Sequence, residues 1–94
     1  MRLSEARVVL TGASGGIGMA IAEALCSHGA EVLAVSRHRE PLMPLQAQYP
    51  HLLHWVKADL TTHEGRQHVL MTAQAMEGIN LLVNAAGVNH FAML

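Results

Sequence analysis

The stretch Thr11-Gly12-Ala13-Ser14-Gly15-Gly16-Ile17-Gly18 constrains this chain more than any other. It follows the apolar run Val8-Val9-Leu10 and precedes a segment of helical periodicity, so it reads as a strand, a glycine-rich turn and a helix start. Glycine admits positive φ and lets an anion reach the backbone with no Cβ in the way. The first free N–H groups of the helix then face that anion, with the positive end of the helix dipole behind them. The glycines follow Gly-x-x-x-Gly-x-Gly, whereas the general dinucleotide fingerprint is Gly-x-Gly-x-x-Gly. A nucleoside-triphosphate loop is excluded, because Gly18-Met19-Ala20 stands where Gly-Lys-Ser/Thr is needed. Taken alone, the stretch also fits a tight turn that only packs a helix on a strand.

Composition narrows the setting. Ninety-four residues suffice for one small domain, and 51% hydrophobic against 14% charged residues excludes a disordered chain. The formal net charge is -1 with six scattered basic residues, which argues against a nucleic-acid partner or an anionic membrane surface. No uncharged apolar run approaches the length of a membrane span, and no signal-type segment follows Arg2. Cys26 is the only cysteine, so no internal disulfide forms, which suits a cytoplasmic location.

Along the chain, residues 6–11 are expected to form the first strand and 16–28 a helix with an apolar stripe of Ile17, Ile21, Ala24 and Leu25, stopped by Gly29. Cys26 reads as a small helix residue, not a nucleophile. A second strand covers 31–36 and runs into Ser36-Arg37-His38-Arg39. In this architecture an acidic residue after the second strand would bond a ribose 2′-hydroxyl. Arg37 there suits a 2′-phosphate instead, through charge-assisted bonds of roughly 1.5–3 kcal/mol each; a solvated basic patch is the alternative. Pro41 and Pro44 permit only a short helix ahead of Pro50, with Leu42, Leu45 and Tyr49 on one face. A third strand at 52–58 ends at Asp59-Leu60, and Thr61 with Glu64 has the spacing of a capping box. The helix it opens carries Val69, Ala73 and Met76 on one face and stops at Gly78; a fourth strand at 79–83 leads into Asn84-Ala85-Ala86-Gly87. The alternation β-α-β-α-β-α-β predicts an α/β fold built on one parallel sheet.

With these motifs in place, the chain resembles the amino-terminal half of the short-chain dehydrogenases/reductases over essentially all 94 residues. The marks are Thr11-Gly12-x-x-x-Gly16-Ile17-Gly18, Asp59-Leu60 and Asn84-Ala85-Ala86-Gly87, in that order on the expected elements. The resemblance implies a Rossmann-like doubly wound parallel sheet of strand order 3-2-1-4, in which residues 1–94 are the NADP(H)-binding half of an oxidoreductase domain, ending before the catalytic segment. It implies that Gly12, Ser14, Gly16, Ile17 and Gly18 hold the pyrophosphate and adjacent ribose of NADP(H), and that Arg37 holds the 2′-phosphate. It further implies that Asp59 and Leu60 line the adenine pocket, while Asn84, Ala85, Ala86 and Gly87 brace the first strand through Thr11 beside the nicotinamide ribose. NADP(H) is expected over NAD(H), with a small carbonyl or alcohol substrate, and a homo-oligomer when full length.

Departures from the family pattern bound this reading. The family's catalytic tyrosine is followed four residues later by a lysine, but Leu53 lies four beyond Tyr49, the only tyrosine, and the only lysine is Lys57. No catalytic residue is therefore assigned, and the 94 residues alone are expected to be inactive. The rival reading is a non-catalytic dinucleotide-binding regulator or a decayed remnant. Seven histidines, including His51, His54, His63 and His68, lack a cysteine partner or a zinc-protease pattern, so no metal site is assigned. The outer edge of the fourth strand, at Leu81, Leu82 and Val83, is expected to lie open and to promote self-association.

Overall fold

The structure, a computed structural model, describes residues 2–13, 15–76, 78–84 and 90–93. Its strands are β1 (Arg7–Thr11), β2 (Glu31–Ser36), β3 (Leu53–Lys57), β4 (Leu81–Asn84) and β5 (His90–Met93). Its helices are α1 (Gly16–Ser27), α2 (Met43–Gln48) and α3 (His63–Ala75), with single 3-10 turns at Leu3–Glu5 and Glu40–Leu42. The sheet order is β3-β2-β1-β4-β5. The first four strands are parallel, as the alternation of strand and helix predicts, and β1 lies between β2 and β4.

Period-two alternation divides each strand between two cores. Val8, Leu10, Val32, Ala34 and Leu53 face α1 and α2, while Val9, Leu33, Val35 and Val56 face the side of α3. The strands are apolar on both sides because helices lie over both faces of a parallel sheet. The short helix foreseen among the prolines is the 3-10 turn plus α2, with Pro44 in the first turn of the helix. Leu42 and Leu45 are buried, and Tyr49 packs beside them.

Three expectations need correction. The buried seam of α1 is not Ile17, Ile21, Ala24 and Leu25 but Gly18, Ala22 and Cys26, spaced four apart. Ile21 and Leu25 only flank it, Ala24 is exposed, and Ile17 is 64% exposed. The three seam residues are small, and at Gly18 the helix meets the Gly12–Ala13 loop too closely for a side chain. The N-cap of α3 is Thr62, not Thr61: its Oγ1 accepts the Gly65 N–H at 2.9 Å, so no Thr–Glu capping box forms. Thr61 is diverted to the Asp59 carboxylate. Last, the outer edge of β4 is not open, because β5 pairs with it antiparallel from Leu81↔Met93 to Asn84↔His90. A strand bonded there satisfies backbone groups that the parallel order alone leaves unpaired.

Candidate functional site

In a sheet ordered 3-2-1-4, the chain leaves β1 toward β2 on one side and returns to β4 on the other. Open α/β sheets bind ligands at such a switch point, outside the carboxyl ends of the strands. Thr11 and Asn84 end β1 and β4 as register partners, and the buried Thr11 hydroxyl donates to the Val83 carbonyl at 3.5 Å. Gly12 then turns the chain with φ 68°, a value that favours glycine.

The three motif glycines have separable duties. A Cβ on Gly18 would lie 2.2 Å from the Gly12 carbonyl oxygen and 2.9 Å from the Ala13 Cα, so helix and loop meet there without a side chain between them. A Cβ on Gly16 would meet nothing within 4 Å. Gly16 begins α1, where the backbone donors of the first turn have no partner within the helix. Turn, open approach and tight packing are the duties that a pyrophosphate-binding loop asks of its glycines, and Gly12, Gly16 and Gly18 meet them in that order. The loop geometry therefore fits a dinucleotide phosphate, with Ile17 exposed at the helix start.

Beside the loop, a cleft of about 320 Å³ opens between the ends of β2 and β3, lined by residues that include Gly12, Ser36, Arg37, Asp59, Leu60 and Thr61. Asp59 Oδ1 accepts from both the Thr61 N–H (2.9 Å) and the Thr61 hydroxyl (2.6 Å). These two bonds hold the Asp59 carboxyl below its usual range, and the Arg37 guanidinium across the cleft adds to the effect. Leu60 is half-buried against the α3-side core. A Cβ on Gly65 would meet the Asp59 carbonyl oxygen at 1.9 Å, so α3 starts hard against the end of β3 and shapes the cleft wall.

The structure thus gathers Gly12, Gly16, Ile17 and Gly18 at one turn, and Arg37, Asp59 and Leu60 at the neighbouring cleft. Asn84 ends β4 next to Thr11; Ser14, Ala85, Ala86 and Gly87 lie outside the described residues. Sequence reasoning missed Thr61, Gly65 and Ser36. Asp-x-Thr is a signal for the first, since an aspartate side chain commonly bonds the backbone two residues on. A glycine in the first turn of a helix hints at the second, and nothing local marks the third.

Tyr49 packs beside the α1- and α2-side core and Lys57 is exposed on β3, so they form no catalytic pair. Burial pushes the Cys26 thiol up to about 11, which keeps it protonated and unreactive near neutrality. Among the described residues no three histidine, cysteine or acidic side chains converge on a metal position, and no helix is long and apolar enough to cross a membrane.

Comparison with known proteins agrees with this geometry. The family model described as short chain dehydrogenase matches residues 6–94. The chain is 40% identical over 88 residues to a coniferyl-alcohol dehydrogenase of Pseudomonas, covering 94% of this chain and 31% of that protein. It is 40% identical over 83 residues to the short-chain dehydrogenase/reductase VdtF of Byssochlamys spectabilis, covering 86% and 27% respectively. Among solved structures, L-sorbose reductase from Gluconobacter frateurii, complexed with NADPH and L-sorbose, superposes with a TM-score of 0.77 at 32% identity, over 94% of this chain and 36% of that one. The chain therefore spans about a third of the length of the relatives it matches, and those relatives are oxidoreductases. A glycine turn of this geometry at the switch point of a 3-2-1-4 sheet, matched by the family model from residue 6 to residue 94, makes the chain a member of the short-chain dehydrogenase family.

Proposed function

We propose that residues 1–94 form the NADP(H)-binding half of an oxidoreductase acting on a small carbonyl or alcohol. The observation that carries this reading is Arg37 in the cleft at the end of β2, with Ser36 and no acidic residue before it. An acidic residue there would bond the 2′-hydroxyl of NAD(H) and repel a 2′-phosphate; a guanidinium attracts that phosphate and can fork onto two of its oxygens. The relative solved with NADPH supports the same cofactor class. In this reading Gly12, Ser14, Gly16, Ile17 and Gly18 seat the pyrophosphate and adjacent ribose. The Asp59 carboxylate accepts from the adenine amine, with Leu60 against the ring. Asn84, Ala85, Ala86 and Gly87 lie along the nicotinamide ribose.

The bound nicotinamide supplies the hydride chemistry, and the protein supplies position and charge. The 94 residues bind cofactor but turn over no substrate, because Tyr49 and Lys57 are not arranged as an acid–base pair. The complete enzyme is read as cytoplasmic and homo-oligomeric. Titrating the chain with NADPH and NADH, with emission of Trp55 as the only tryptophan signal, tests the cofactor. NADPH is expected to bind about ten- to a hundredfold tighter, as one or two charge-assisted bonds provide. Arg37→Glu is expected to abolish that preference. Equal affinity for both cofactors in the unaltered chain would remove the 2′-phosphate assignment, and no binding of either would remove the dinucleotide reading.

A further inference from the structure

The segment 36–39 carries two arginines, and the fold treats them differently. The guanidinium of Arg39 stands 5.8 Å over the Trp55 ring, and its Nη2 and Nε lie 3.2 and 3.4 Å from Gln46 Oε1 on α2. Arg37 lines the cleft and makes no hydrogen bond or ion pair with the described residues. What separates them is the hydroxyl of Ser36, a buried residue at the last position of β2. Its Oγ donates to the His38 carbonyl at 2.8 Å and accepts the Trp55 indole N–H at 2.8 Å.

We propose that Trp55 is a positioning residue for recognition of the 2′-phosphate, acting on Arg37 through the Ser36 hydroxyl. This rests on the reading of Arg37 given above. A serine hydroxyl has one proton, and its rotor is free unless an acceptor or donor fixes it. The indole N–H occupies a lone pair of Oγ, which turns the proton toward the His38 carbonyl. The Ser36–His38 bond then closes a small ring with Arg37 inside it, so the backbone that launches the guanidinium is held from both ends. Trp55 is itself half-buried. It is the register partner of Ala34 and packs against the core on the side of α1 and α2, beneath Arg39. Trp55 thus holds one arginine away from the cleft and, through Ser36, orients the other into it. Ordering the arginine before the ligand arrives lowers the conformational entropy lost on binding.

The test compares 2′,5′-ADP with 5′-AMP, which differ only in the 2′-phosphate, by calorimetry on the 94-residue chain. Trp55→Phe keeps a ring beneath Arg39 and deletes the N–H. Its expected effect is a loss of about fivefold in the 2′,5′-ADP to 5′-AMP affinity ratio, the worth of one hydrogen bond, with 5′-AMP affinity unchanged. Ser36→Ala is expected to lower the ratio at least as much, and the double variant no further than Ser36→Ala alone. An unchanged ratio in Trp55→Phe or in Ser36→Ala, an equal loss for both ligands, or additive losses in the double variant would overturn the proposal and leave the Arg37 reading standing. No preference for 2′,5′-ADP in the unaltered chain would overturn the Arg37 reading, and the proposal with it.

Discussion

Gly16 and Gly18 stand two residues apart in α1 and face opposite demands. The Cβ of Gly18→Ala would fall 2.2 Å from the Gly12 carbonyl oxygen, a backbone atom with no freedom to rotate aside. That substitution is expected to cost about 2–4 kcal/mol, measured as a lower urea midpoint at unchanged slope. Gly16→Ala meets open space, so its stability should stay within about 1 kcal/mol of the parent chain. On the proposed seating of the pyrophosphate, its cofactor affinity should nevertheless fall by tenfold or more, because the new methyl would stand in the line of phosphate approach. Both glycines are equal in the motif, and only the packing of α1 on the loop distinguishes them. Cys26 supports a third prediction. Its thiol is raised from 9.0 to about 11, so the folded chain keeps a proton there that the unfolded chain releases first. The associated stability is complete below about pH 9 and is lost as pH rises toward about 11. Near pH 8 the native thiol should react with a disulfide reagent about a hundredfold more slowly than free cysteine, and at one equivalent per chain once denatured.

At the level of elements, the order of strands and helices was legible because β1, β2 and β4 carry continuous apolar runs ended by turn residues. Residues 31–36 were foreseen to the residue, with Gly29 at φ 86° closing α1 before them. Legibility failed where one element reads another. The periodicity of α1 points at its largest apolar side chains, Ile17 and Leu25, yet the seam is the small trio Gly18, Ala22 and Cys26, whose first member meets the Gly12–Ala13 loop too closely for a side chain. The cap of α3 failed for a related reason. Thr61 is drawn back to Asp59, so Thr62 takes the capping position, bonding the Gly65 N–H and donating to the Asp59 carbonyl at 2.9 Å. Thr62→Ala is expected to destabilise the chain by about 1 kcal/mol, read from thermal or urea unfolding. Thr61→Val should cost less stability but return the Asp59 carboxyl toward the ordinary carboxylate range. Asp59 ionises below that range in the folded chain, so the stability it adds is present above about pH 4 and is lost only as pH falls lower.

For the whole molecule, the radius of gyration of 11.9 Å matches the roughly 12 Å of a compact unit of this length. Its two faces are unequally covered. α1 and α2 close one side, but on the other α3 leaves an apolar groove of about 450 Å³ against β4, lined by Val9, Val69, Leu70, Ala73, Ile79 and Leu82 among others. The edge of β4 foreseen as open is paired by β5, so the apolar surface left beside β4 is this groove and not an unpaired strand edge. The chain is accordingly expected to enhance the emission of an apolar dye such as ANS at neutral pH while retaining a folded circular-dichroism spectrum. Leu70→Glu, at a residue 55% exposed, should lower that emission without changing the spectrum. An emission equal to that of a fully covered globular protein would show the groove to be closed in solution.

The sequence by itself determined the glycine turn and the alternation of strands and helices, and with that alternation a parallel sheet, because apolar periodicity, turn residues and backbone freedom are local properties of consecutive residues. Only the tertiary structure decided which glycine packs and which stays open, which threonine caps α3, and that the Trp55 indole reaches Ser36 on the neighbouring strand. Those outcomes depend on distances between segments far apart in the chain, and such distances exist only once the sheet has brought its strands into register.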